Sequence, residues 1–356
     1  MSALKSIAIV GAGNIGSHLL ALVGRMPAVG SVTIVDPDSY EAKNLASQAI
    51  SPAEVGQPKA LVQAARLREI RPGLRVNALV ERVENVPLGV LRGDVIASCL
   101  DSRAARRAAA CVAWRLDVPL VDAGLQASGS LVRVHVHRPD PAGACYECAW
   151  SAEDYAAEQD AFSCDGTPRE AAPTNAPASL GALAAAMQAI EIGKILAGDW
   201  ERVAVGREVM LDANFHRHFV TRYDRNPACK FDHRTFAIRK FRGEVGALTL
   251  ADLFAQSTGV LRVEGHRFAR QWACAACLAS SEAFGLHRRL AGSIACPKCG
   301  SAMRAVGFHM RDRLAFSDVP DAALTSPLSQ LGFRAGDLFT RVVGGEEIHS
   351  EITPAQ

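Results

Sequence analysis

The chain has 356 residues, 49% apolar and 21% charged, with 39 basic against 37 acidic side chains. This composition excludes a disordered chain, and the near-balanced charge excludes general electrostatic binding of nucleic acid. The length suits two domains, or one domain with appendages.

Met1-Ser-Ala-Leu-Lys runs straight into an apolar strand at 6–10, so no signal peptide is expected. In IAIVGAGNIGSHLLALV, Gly11, Gly13 and Gly16 fall between that strand and a helix near 14–25. A second strand, VTIVD, ends on Asp36, 20 residues after Gly16. This is the pattern of a nucleotide-binding βαβ unit. The glycines allow a tight turn and close approach of backbone to phosphate, and the helix start offers unpaired N–H groups. A carboxylate at Asp36 can hold a ribose hydroxyl. By itself the pattern fits an NAD-dependent oxidoreductase equally well.

Residues 37–51 read as loop and turn, followed by a helix over about 56–71 and a strand near 74–83. DVIASCLD is a short strand ending on Asp101, 102–116 is helical, and VPLVDAG is the next strand. GSLVRVHVHRP alternates with period two and predicts a strand with one wetter face. Ala152 to Pro177 is rich in Pro, Thr, Asp and Ala and reads as a long crossover loop, within about 150–178. A strong helix follows at 179–197. Glu191 and Lys194 interrupt its apolar run, so no membrane span is expected. The segments VAVGREVML and HFVTRY read as strands. A doubly wound α/β sheet with an antiparallel extension fits this order, with domains at 1–235 and 236–356.

Ten cysteines in a chain expected to be cytoplasmic stay reduced, so CxxC spacing points to metal. Cys274-Ala-Ala-Cys277 and Cys296-Pro-Lys-Cys299, with 18 residues between the pairs, predict a zinc ribbon in a β-rich C-terminal domain. Few large apolar residues surround it, and structural zinc can contribute about 10–16 kcal/mol to such a unit. Cys99 and Cys111 lie in apolar surroundings and read as core packing.

The motifs GAGNIGSH, VDPD, KNLASQ, VGQPK, CLDSRAARR, ACYEC and RNPAC follow one another up to about residue 233. In that order they resemble the ThiF/MoeB family and the adenylation domains of ubiquitin-activating enzymes. The resemblance implies ATP- and magnesium-dependent adenylation of a C-terminal glycine carboxylate. The substrate would be a small ubiquitin-like or sulfur-carrier protein. It further implies a homodimer; the charge balance and the interrupted apolar run leave no expected role for nucleic acid or membrane. A downstream conjugating enzyme is a further expected partner. An oxidoreductase leaves Asn44, Lys59 and Asp101 without roles.

Under this resemblance the nucleotide site comprises Gly11, Gly13, Gly16, Asp36, Asp38, Asn44 and Lys59. Asp36 holds the ribose, Lys59 brings a point cation to the phosphates, and Asn44 a neutral donor and acceptor. Asp101 is placed for Mg²⁺, and Arg106 adds a second cation. The attacking carboxylate is already anionic, so the site needs alignment and charge stabilisation and no general base. Each residue also has a plainer reading: Lys59 a helix opener, Asp101 a helix cap, Asn44 a turn former, Arg106 a surface residue.

The resemblance also pairs Cys145 and Cys148 with a knuckle after the Asn-Pro motif. Here that motif continues as Cys229-Lys-Phe-Asp-His233, which gives a Cys₃His zinc set with Asp232 as a substitute ligand. Cys164, in FSCDGTP, matches the crossover cysteine that accepts the acyl group as a thioester. One departure stands out: Ser47 occupies the position of a family arginine. Lys43 or Arg103 would have to compensate, or a partner chain would supply the cation. Failing both, activity would be weak, and the alternative reading is a non-catalytic subunit of a heterodimeric activating enzyme.

Overall fold

A computed structural model of the chain describes residues 3–160, 176–255 and 259–355. The described residues form two compact units, Met1–Val86 with Leu91–Thr235 and Pro87–Val90 with Phe236–Gln356.

The first unit begins with β1 (Lys5–Val10), α1 (Asn14–Gly24) and β2 (Val29–Val35), then α2 (Lys59–Ile70), β3 (Arg75–Leu79) and β4 (Val95–Ser98). It continues with α3 (Arg103–Arg115), β5 (Leu120–Gln126), β6 (Leu131–His137), α4 (Ala152–Asp160), α5 (Ala178–Ala197), β7 (Arg207–Asp212) and β8 (Arg217–Arg222). Its eight-stranded sheet has the order β3-β2-β1-β4-β5-β6-β7-β8. The strands are parallel from β3 to β5 and antiparallel from β5 to β8. Ile7–Val10 are all buried because both faces of the parallel part are covered, which is why β1 is an unbroken apolar run. Ile15, Leu19, Leu20 and Val23 of α1 pack on this sheet beside α5, each contributing about 1.5–3 kcal/mol of burial.

α5 is long and apolar enough to cross a membrane. In the fold it is a core helix, packed on α1, β5 and β6, with Gln188 and Glu191 buried along it. Gly198 ends it in the left-handed conformation at φ 75°.

Three expectations need correction. The helix expected from about residue 56 starts at Lys59, since Gly56 has φ +88° and Pro58 precedes the first turn. The expected crossover loop begins with a helix, α4. Ser151 and Asp154 form reciprocal bonds at its start, Ser151 N–H to Asp154 Oδ2 at 2.8 Å and Asp154 N–H to Ser151 Oγ at 3.2 Å. The expected wetter face of β6 is wetter only at its start: Leu131 and Arg133 are half-buried, while His135 and His137 are buried against Tyr223 and Tyr146.

The second unit holds β9 (Ile238–Arg242), α6 (Leu250–Phe254), β10 (Val260–Val263), β11 (Phe268–Cys274), β12 (Ser280–Leu286) and α7 (His287–Leu290). It closes with β13 (Met303–Ala305), β14 (Leu314–Ala315), α8 (Asp321–Thr325), β15 (Leu338–Val343) and β16 (Glu346–Thr353). Five strands order as β14-β10-β15-β16-β9 over a core that includes Leu253, Phe254, Phe268 and Phe339. The three-stranded sheet β12-β11-β13 carries the two CxxC pairs. Trp272 is fully buried among their neighbours, and its indole N–H donates to the Ala283 carbonyl at 2.7 Å.

Candidate functional site

β1 lies between β2 and β4, so the chain reverses its winding direction at this strand. Open α/β sheets bind ligands outside the carboxyl ends of strands at such a point. Three backbone bonds bring the ends together: Gly11 N–H to Val35 O at 2.8 Å, Cys99 N–H to Val10 O at 2.8 Å, and Asp36 N–H to Leu79 O at 3.1 Å. The Gly11 turn, Asp36 and the segment leading to Asp101 therefore share one edge.

The three glycines have different reasons. Gly11 has φ +96°, and a Cβ there would lie 2.5 Å from the Cys99 carbonyl oxygen. A Cβ on Gly16 would lie 1.9 Å from the Gly11 carbonyl oxygen, so the helix could not approach the turn. A Cβ on Gly13 would meet nothing within 4 Å. That open space adjoins the start of α1, where no side chain caps the first N–H groups.

Asp36 is buried. Its Oδ2 accepts the Ala12 N–H at 2.7 Å and its Oδ1 the Asp38 N–H at 2.9 Å. Burial pushes its carboxyl above the usual range, while Lys59 and the two N–H donors pull it back. Lys59, buried at the start of α2, places Nζ 3.1 Å from Asp38 Oδ2. Asn44 is buried in a 3₁₀ turn, and its Oδ1 accepts the Glu41 N–H at 2.8 Å.

Asp101 is exposed. Ser102, not Asp101, caps α3, its hydroxyl accepting the Ala105 N–H at 3.1 Å. The plainer reading of Asp101 as the helix cap therefore fails. Arg106 is buried and donates to Asp122 at 2.6 Å, so its guanidinium is committed within the fold. Of the cations that could replace a residue at Ser47, Lys43 pairs with Glu41 at 2.9 Å and Arg103 with Asp154 at 2.5 Å. Cys164 lies outside the described residues.

Sequence reasoning missed the polar groups that support this edge. Asp122 on β5 accepts from Ser98 Oγ at 2.7 Å. Gln188 on α5 donates to the carbonyls of Ser98 and Val121 and accepts from the Cys99 thiol at 3.2 Å. Burial pushes that thiol well up, so Cys99 stays protonated. The available signals were a Gln in a largely apolar helix and an Asp inside the apolar run VPLVDAG.

Among the described residues, two clusters could hold a metal. The ligand atoms of Cys145, Cys148, Cys229 and His233 lie within 4.8 Å of one another. Cys145 Sγ is 3.7 Å from Cys148 Sγ and 3.6 Å from Cys229 Sγ, near the edge of about 3.8 Å for a tetrahedron with Zn–S about 2.3 Å. His233 Nδ1 lies 2.8 Å from the Phe231 carbonyl, which can only accept, so Nδ1 carries the proton and Nε2 faces Cys148 at 3.2 Å. The bond from Cys145 holds the Cys148 thiol below the usual thiol range. Asp232 is no substitute ligand: Arg115 takes both of its oxygens, at 2.5 and 2.9 Å. In the second unit, Cys274 and Cys299 are 3.5 Å apart, as are Cys277 and Cys296. All four ligand atoms again lie within 4.8 Å.

The fold and this edge define a Rossmann-type α/β domain with a glycine turn at its switch point. The chain belongs to the ThiF family, whose model matches residues 3–231. It is 33% identical over 152 residues to the sulfur carrier protein ThiS adenylyltransferase of Escherichia coli K12, covering 41% of this chain and 58% of that relative. To the sulfur carrier protein adenylyltransferase of Thermus thermophilus it is 31% identical over 238 residues, 63% of this chain and 82% of that one. The crystal structure of Escherichia coli MccB shares the fold, with TM-score 0.53 at 17% identity over 67% of this chain and 68% of that one.

Proposed function

We propose that this chain adenylates the C-terminal glycine carboxylate of a small ubiquitin-like or sulfur-carrier protein. A carboxylate oxygen bonds to the α-phosphorus of ATP, the bond to the bridging oxygen breaks, and pyrophosphate leaves with the electron pair. The observation that carries the reading is the shared edge of β1, β2 and β4. It sets an uncapped helix start and open Gly13 beside buried Asp36 and Lys59. Gly13 and the first turn of α1 would receive phosphate oxygens, Lys59 would neutralise them, and Asp36 would hold the ribose. Asp101, exposed and without a capping role, fits a hard divalent cation. Bound Mg²⁺ would supply charge neutralisation to the phosphates.

Both cysteine clusters fit structural zinc, and their thiols suit a reducing, cytoplasmic setting. A thioester on Cys164 and a homodimer belong to the same proposal. A second reading, motivated by Ser47, has another chain supply the missing cation.

ATP–pyrophosphate exchange with a glycine-terminated carrier tests the proposal. Lys59→Ala should lower exchange about 10- to 100-fold, the worth of one charge-assisted bond. Exchange at the wild-type rate in that variant removes Lys59 from the site. Exchange that appears only with a second subunit selects the second reading.

A further inference from the structure

Tyr40 is among the largest fully buried side chains of the molecule, directly beneath the glycine turn. Its hydroxyl donates to the Ala12 carbonyl at 2.9 Å and accepts from Gln63 Nε2 at 2.8 Å. The N–H of the same residue, in the preceding peptide, goes to Asp36 at 2.7 Å. Ala12 lies between Gly11 and Gly13, two residues with the freest backbones, yet both of its polar groups are held by buried side chains. The Tyr40 backbone is fixed in turn: its N–H bonds to the Gln57 carbonyl at 2.9 Å and its carbonyl accepts the Gly56 N–H at 2.7 Å. Lys59 Nζ stands 5.9 Å from the centre of the Tyr40 ring. One side chain thus ties the turn after β1 to the segment that starts α2.

We infer that Tyr40 is a positioning residue for the nucleotide, holding the Ala12 carbonyl back so that the next N–H groups face the open space at Gly13. This rests on the proposed ATP site and adds to it a residue outside the predicted set. Burial pushes the Tyr40 hydroxyl well up, so it stays protonated and can donate. A turn held in the anion-receiving conformation has less ordering to lose when phosphate arrives. Removing the hydroxyl frees the Ala12 carbonyl to rotate and leaves the ring in the core. The effect must therefore fall on phosphate contacts, not on the nucleoside.

Binding of ATP with magnesium, and separately of adenosine, to full-length wild type and Tyr40→Phe tests this. The expected result is an ATP Kd raised about five- to tenfold in Tyr40→Phe, the worth of one hydrogen bond, with adenosine binding unchanged. Retained adenosine binding also reports an intact pocket. An unchanged ATP Kd overturns the role of Tyr40. So does an equal loss for ATP and adenosine, since that marks general loosening of the fold. Wild-type chain that binds no ATP overturns the functional reading itself, and the inference with it.

Discussion

Arg106 and Asp122 form an ion pair of 2.6 Å with both side chains buried, joining α3 to the middle of the sheet. Arg133 approaches the same carboxylate at 3.5 Å and is also held by Glu208 at 3.1 Å. A charge in this setting cannot be left alone without a large desolvation penalty.

Arg106→Ala should therefore lower the stability of the first unit by about 3–5 kcal/mol, read by urea unfolding. Adding Asp122→Asn should recover part of that loss, because the buried carboxylate, left with only Ser98 and the more distant Arg133, is gone. A change under about 1 kcal/mol together with lost exchange would show that Arg106 acts on the phosphates.

Asp101 and Ser102 are neighbours with separate expected effects. Ser102→Ala removes the cap of α3 and should destabilise by about 1 kcal/mol with exchange retained at 25 °C. Asp101→Asn should leave the unfolding midpoint unchanged and reduce exchange, with a higher magnesium requirement. Full exchange in Asp101→Asn at limiting magnesium would remove Asp101 from the metal.

Zinc stoichiometry can be read by chelator titration of denatured protein. Two zinc ions per chain are expected in wild type and one in His233→Ala or Cys229→Ser. Asp232→Asn should keep two, since that carboxylate is bound to Arg115. Loss of zinc in Asp232→Asn together with full zinc in His233→Ala would reverse the assignment. Stripping the metal should also lower the melting temperature of both units, as ligand binding to the folded state is folding free energy.

His266 is buried in the second unit, 3.1 Å from Arg289 Nη2, which also bonds Asp337 at 3.0 Å. Burial, then the Arg289 charge, pushes its pKa from 6.5 down to about 3. The unfolded chain thus binds a proton that the folded one refuses between these values, and stability rises with pH there. The contribution is complete above about pH 6.5 and shrinks as pH falls toward 3, by about 2 kcal/mol at pH 5. Unfolding free energy measured across pH 5–7 should have a slope shallower by about one proton in His266→Asn. Equal slopes would mean that His266 titrates normally.

Much of this molecule could be read from local pattern. The β1–α1–β2 unit, its three glycines and the carboxylate at Asp36 obey constraints that act within a few residues: turn sterics, strand periodicity and the exposed helix start. The cysteine pairs are equally local, because a knuckle forms within four residues. Helix α4 was legible too, in the Ser151–Asp154 spacing, but the surrounding Pro and Thr content obscured it.

The partners of long-range polar groups were not legible. Arg106 looks like any surface helix arginine until β5 places Asp122 beneath it. Asp232 looks like a ligand until Arg115, 117 residues away, takes its oxygens. Tyr40 looks like loop filler until the chain folds it under Ala12. Sequence by itself determined where backbone conformation and metal-ligand spacing had to fall, since those depend on bonded neighbours. Only the tertiary structure decided which buried charges and hydroxyls meet, since that pairing depends on desolvation between segments far apart in the chain.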